Sequence, residues 1–264
     1  MGHQTADQPG RNGAVPRLGG TAEGPPAGPA AGRFAEGFFG FCRRVGGTRA
    51  YNALSGPLLA AVFFWLLILE FHHLSRVFRL PESYAYDAAF HAWLVATISK
   101  IVFLSLLVAL LLFRRQPVNK ARGLLPRITA IAGTFMVMLV VLIPAPEPVL
   151  AQSIAGLVLI CTGSILSVVS VSFLGRSFSI MAEARELVTT GVYSLVRHPL
   201  YVAEEIAVLG AIVINFSPLA VLLLAVHIAC QIQRARNEEG VLSEAFPEYE
   251  AYKLRTRRFI PGVY

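Results

Sequence analysis

Six runs of apolar residues, several of them near the ~20 that carry a helix across the hydrocarbon core of a bilayer, constrain this chain more than any other feature. They fall at about 54–72, 91–113, 124–143, 149–174, 199–214 and 218–233. In hydrocarbon the backbone polar groups of such a run must be satisfied internally, and a helix does this within one segment. Composition agrees: 55% of the residues are hydrophobic and 15% are charged, against roughly 25% charged in soluble domains. Mean hydropathy is +0.60. The chain reads as an all-α integral membrane protein of about six transmembrane helices. The last two form a tight helical hairpin over 199–233, turned at the NFSP segment, where Pro218 suits a first helical turn.

The segments between are polar. Residues 1–33 are rich in Gly, Pro and Ala, lack apolar periodicity and read as a disordered tail. The apolar core of a signal peptide is missing from them. Residues 34–53 mix Phe with Arg, as an interfacial segment does. A four-span membrane region over 54–174 follows, with Lys100 the one charge in its second span, and then a more polar region over 175–264. Of the basic residues behind the net charge of +7, most collect before position 50, in 114–127, in 176–197 and after 233. The intervening loops hold only Arg76 and Arg79. Six spans with both termini in the cytoplasm satisfy the positive-inside rule at every loop. The basic excess is thus topological, and without an aromatic–basic stripe it argues against a nucleic-acid partner. Cys42, Cys161 and Cys230 are scattered, with no His at ligand spacing, so no metal site or disulfide framework is implied.

Ionisable residues gather between Leu187 and Glu239, and at a bilayer edge such groups are expensive unless they have a function. Folding 199–233 back on itself brings His198 and Tyr201 near Arg234 and Glu238. Each has a plain structural reading as well. Arg234 and Glu238 stand four apart and suit a surface ion pair, although Arg before Glu is the weaker order. His198 precedes Pro199 and suits a turn, and His227 reads as structural. Glu204 and Glu205 enter a membrane helix, where carboxylates need water, partners or a ligand cation. Tyr193, Tyr201 and Phe178 offer aromatic faces to a cation. Glu204 and Glu238 add negative charge, and Arg234 adds an anion site. A zwitterion with a ring and a positive centre fits that set. No G-x-G-x-x-G follows a strand, so a Rossmann-type site is not indicated.

LVTTGVYSLVRHPLY, followed after an apolar hairpin by RxxxEExxxL and a Tyr- and Arg-rich tail, resembles the isoprenylcysteine carboxyl methyltransferase family over roughly 170–264. Membrane phospholipid methyltransferases share the pattern loosely. The resemblance implies S-adenosylmethionine as cofactor, held in a non-Rossmann pocket, and a lipid-like acceptor that arrives from the bilayer. Carried over by position, it assigns cofactor binding to Leu187, Val188, Tyr193, His198, Pro199, Leu200, Tyr201 and Glu238. It assigns catalysis to Arg234 and Glu238, and acceptor contact to Arg234; Glu204 joins the acceptor side on the chemistry of its own position. The sequence departs from the family at three places. Arg185 stands where the eukaryotic enzymes have His, Ala203 where Gly is usual, and FPEYEAY is one residue short of FGxxYxxY.

The residues fit methyl transfer, which rests on an aligned nucleophile in a dry site. Arg234 suits a carboxylate acceptor, held by a bidentate grip. An amine acceptor needs a base, for which His198 and Glu204 are candidates. The expected function is carboxyl O-methylation of an isoprenylcysteine-type substrate, in a bacterial inner membrane with the site facing the cytoplasm. Phospholipid or other amine N-methylation is the alternative. A transporter or scaffold, whose polar cluster only locks the hairpin, is the alternative of another class.

Overall fold

The computed structural model describes residues 49–77, 79 and 88–263. The tail at 1–33 lies outside the described residues, and so does the interfacial segment as far as residue 48. Helix α1 (Arg49–Val77) and helix α2 (Ala88–Phe113) are joined through undescribed residues. A short strand β1 (Asn119–Lys120) precedes α3 (Leu125–Phe135), which tightens into a 3-10 helix over Met136–Leu142. Then come α4 (Leu150–Leu174), β2 (Glu183–Ala184), α5 (Pro199–Ile214), α6 (Pro218–Ala245) and the short α7 (Tyr249–Arg255). The two strands pair antiparallel, Asn119 opposite Ala184 and Lys120 opposite Glu183.

Among the described residues, four helical segments are long and apolar enough to cross a membrane: Gly56–Val77, Trp93–Phe113, Leu150–Ser177 and Pro218–Ala245. The other two expected spans are shorter as α-helices. At 1.5 Å per residue the 16 residues of α5 reach about 24 Å, below the ~30 Å of a bilayer core. Helix α3 and its 3-10 extension together reach about 30 Å, because the 3-10 form rises about 2 Å per residue. Prolines start these elements. Pro199 and Pro218 sit where no N–H is needed, and the Ser217 hydroxyl caps α6 by accepting from Ala220 N at 3.2 Å.

The tight hairpin expected over 199–233 gives way to a splayed pair. Helix α5 packs along α4, whereas α6 lies chiefly against α3 and meets α5 only sparingly. Small residues explain the first contact: a Cβ on Gly163 would stand 2.5 Å from Ala207 N and 2.6 Å from Ala203 O, and one on Gly210 2.5 Å from Gly156 O. The α4 and α5 backbones therefore touch, as small-residue interfaces in membranes allow. Facing α6, α5 instead presents Tyr201, Glu204 and Glu205, which hold the helices apart. Helix α6 also runs on to Ala245, so Arg234, Glu238 and Glu239 all stand on one continuous helix.

Candidate functional site

The loop from α4 to α5 carries most of the expected site, and three devices fix it. At its start Glu183 accepts from Ser179 Oγ at 2.9 Å, pairs with Arg185, and lies 3.2 Å from Lys120 and 3.8 Å from Arg114. Burial alone would raise the Glu183 carboxyl, but Arg185, Lys120 and Ser179 outweigh it and hold it below the usual carboxylate range. Burial lowers Arg185 in turn, with Glu183 opposing. In mid-loop Gly191 has φ +61°, and a Cβ there would lie 2.0 Å from the Phe173 ring. Both the left-handed backbone and the close approach require glycine. At the end of the loop, the C-terminal segment straps it down: Arg197 N donates to Arg257 O at 2.8 Å and His198 N to Arg258 O at 3.1 Å. The Tyr252 hydroxyl, its pKa pushed up to about 12 by burial, donates to Tyr193 O at 2.5 Å.

Glu239 is the hub of that strap. One oxygen accepts from Arg197 Nε at 2.9 Å and from Arg258 Nε at 2.9 Å, and lies 3.1 Å from His198 Nε2. The other accepts from Arg258 Nη2. This leaves the His198 ring parallel to Tyr201, with centroids 5.4 Å and planes 4° apart. The Tyr201 hydroxyl donates to Glu238, and the Arg234 guanidinium lies 4.6 Å over the Tyr201 ring. Arg234 does not form the surface pair with Glu238 that its spacing allows. It donates to Gln231 Oε1 at 2.7 Å and lies 3.8 Å from Glu204, which itself accepts from Gln231 Nε2 at 2.7 Å. Arg234 Nε is buried without a partner, as are Arg185 Nε and the Tyr193 and Tyr249 hydroxyls. Burial foremost, then the negative charge of Glu238, holds Tyr193 well above the ordinary phenol range and so neutral.

Much of this cluster lines one cavity of about 540 Å³, which neither Glu239 nor Gln231 lines. Of the residues singled out from sequence, Leu187, Val188, Tyr193, His198, Leu200, Tyr201, Glu204, Arg234 and Glu238 line it, and Pro199 does not. Arg185, one of the three departures from the family pattern, lines it too. Glu205 turns away: it meets His227 Nδ1 at 2.7 Å, while His227 Nε2 reaches Gly133 O at 2.9 Å. His227 thus ties α5 and α6 to α3. Sequence reasoning missed the Glu239 hub, since nothing in RNEE separates the second Glu from the first. It also passed over Glu70, which pairs with Lys100 at 2.7 Å. Two lone opposite charges in neighbouring spans were signal enough. Among the described residues no group of three or more His, Cys, Asp or Glu could hold a metal ion.

Fold and site together define a helical membrane protein with a buried Arg–Tyr–His–Glu cluster opening onto an apolar cavity. Residues 151–249 match the family model of phospholipid methyltransferases. A stretch of 82 residues is 38% identical to the nickel-cobalt-cadmium resistance protein NccN of Alcaligenes xylosoxydans xylosoxydans, covering 31% of this chain and 38% of that one. Another match, 40% over 78 residues, is to the cobalt-zinc-cadmium resistance protein CzcN of Cupriavidus metallidurans, covering 29% and 36%. The chain thus spans little more than a third of the length of either relative.

Proposed function

We propose that this protein transfers a methyl group from S-adenosylmethionine to a lipid-like acceptor drawn from the bilayer. The observation that carries the reading is the single cavity in which the buried cluster of Tyr193, His198, Tyr201, Arg234 and Glu238 continues into an apolar space between helices. The family match over 151–249 supports it. The residues present suit the cofactor: neutral Tyr193 and Tyr249 offer aromatic faces and unmet hydroxyls, and Glu238 and Glu204 favour a cation among them. Leu187, Val188, Tyr193, His198, Leu200 and Tyr201 would hold it, with Pro199 setting the start of α5. When bound, S-adenosylmethionine supplies an electrophilic methyl on a sulfonium.

The protein's own part is positioning and exclusion of water. Tyr201 packs against both His198 and Arg234, and its hydroxyl bonds to Glu238. One turn along α5 from Tyr201, Glu204 joins Arg234 and Gln231 of α6 in a polar layer, in which Glu204 and Arg234 line the cavity and Gln231 bonds to both. The acceptor's reacting group belongs in this layer, with its apolar chain beyond. The unpartnered Arg234 Nε favours a carboxylate acceptor, for which Arg234 supplies a donor. Glu204 in the same layer favours a second reading, an amine acceptor that passes its proton to Glu204. The Arg and Lys residues flanking the site support a cytoplasmic orientation, in what would be a bacterial inner membrane.

Incubating purified protein and a lipid extract with methyl-labelled S-adenosylmethionine tests both readings. Label that leaves as methanol under mild alkali marks an ester. Label that stays marks an N-methyl product. A folded protein that neither binds the cofactor nor labels any lipid refutes methyl transfer.

A further inference from the structure

The cavity has a second polar end, far from the first. Its wall on α1 follows one helical stripe, Phe63, Leu66 and Leu69, and its wall on α2 follows another, Leu107, Leu104 and Phe103. Each stripe stops at a charge that also lines the cavity: Glu70 on α1 and Lys100 on α2. The two charges meet at 2.7 Å, with the side chains 21% and 44% exposed. Glu70 Oε2 is buried with no partner.

The depth of this pair follows from the helices. At the other end of α1 and α2, a Cβ on Gly56 would touch the Arg114 guanidinium at 2.8 Å, and Arg114 reaches Glu183 beneath the α4–α5 loop. Fourteen residues separate Gly56 from Glu70, and fourteen separate Lys100 from Arg114. At 1.5 Å per residue the pair therefore lies about 21 Å along the helices from the level of Arg114 and Glu183. That is more than half of a ~30 Å bilayer core. An ion pair at such depth carries a desolvation cost that an apolar pair avoids, so stability is a weak reason for it.

We infer that Glu70 and Lys100 form the far wall of the acceptor channel and set the longest apolar chain it accepts. The inference rests on the acceptor reading above. A hydrocarbon chain entering from the Arg234–Glu204 layer runs between the two apolar stripes. Where they end it meets two charges that can give up neither each other nor their remaining hydration to hydrocarbon. Shorter chains leave the pair untouched, and longer ones must break it.

The experiment uses fatty acids of graded length carrying a terminal diazirine, photo-cross-linked to the protein in nanodiscs and mapped by peptide mass spectrometry. S-Adenosylmethionine titrations run in parallel. In the wild type, labelling should persist up to a limiting length and then fall. The last productive probe should mark residues 66–70 or 100–104. In Glu70→Leu/Lys100→Met the limit should move to longer probes, and in the charge-swapped Glu70→Lys/Lys100→Glu it should stay at the wild-type length. The single change Lys100→Met, read in the same way, serves if the double variant does not fold. An unmoved limit in a folded variant overturns the inference alone, leaving the pair a tie between helices. Cofactor binding without chain labelling at any length overturns the inference together with the acceptor channel. Labelling with the expected shift but no cofactor binding supports the length limit and sinks methyl transfer.

Discussion

At the scale of single residues, Arg234 and Glu239 are adjacent to the same chemistry but do opposite work. Arg234 touches the cavity; Glu239 acts through the residues that it holds. Arg234→Lys keeps the charge but loses the planar group stacked on Tyr201 and the fork reaching Gln231. Transfer should fall about 100-fold, the typical effect of losing one preorganised donor, while cofactor affinity measured by calorimetry changes little. Glu239→Gln leaves Arg197 and Arg258 without their buried counter-charge. Removing one partner from such a cluster costs about 3 kcal/mol. Its first sign should be faster proteolysis after residue 249, as the strap lifts, with weaker cofactor binding following from the freed Tyr193 and His198. If cofactor affinity falls while the strap stays protected, Glu239 belongs to the binding surface rather than beneath it.

At the scale of elements, the loop between α4 and α5 is held by shape as much as by charge, and Gly191 is where both demands meet. Gly191→Ala forces a Cβ into the Phe173 ring and keeps a backbone conformation that costs an L-residue about 1–2 kcal/mol. The two penalties separate in a double-mutant cycle with Phe173→Ala. The clash term should vanish in the double variant, restoring much of the thermal stability lost by Gly191→Ala, and the conformational term should remain. Full additivity of the two changes would mean that the loop relaxes away from Phe173. The glycines of α4 argue in the same way. Ala203, one methyl larger than the residue usual at its place in the family pattern, still fits because Gly163 faces it across the interface.

At the scale of the whole molecule, the sequence disclosed more about which residues meet than about how the helices carry them. Hydropathy places the long helices, and the RHPLY and RxxxEE spacing places Tyr201, Arg234 and Glu238 in one cavity. It does not disclose that α5 leaves α6 for α4, because the backbone contact depends on glycines of two consecutive helices whose partners are set only on packing. Nor does it show Glu183, an ordinary loop carboxylate in sequence, as the junction between two parts of the molecule. Arg114 and Lys120 come from the segment after α2, and Ser179 and Arg185 from the loop between α4 and α5. The pairing of β1 with β2 crosses the same junction. Because Glu183 is held below its ordinary value of 4.5 by these partners against the cost of burial, its contribution to stability has a defined sign. It is fully present above the unfolded carboxyl's pKa and is lost as pH falls through the lower, folded one. Between neutral pH and about 5, this junction should therefore hold constant. Below pH 4.5 hydrogen exchange should rise first in 115–122 and 179–186, ahead of the membrane helices. Glu183→Gln should remove that pH dependence and show the faster exchange already at neutral pH. Uniform acid loosening of all helices, unchanged in the variant, would place the acid-sensitive group elsewhere.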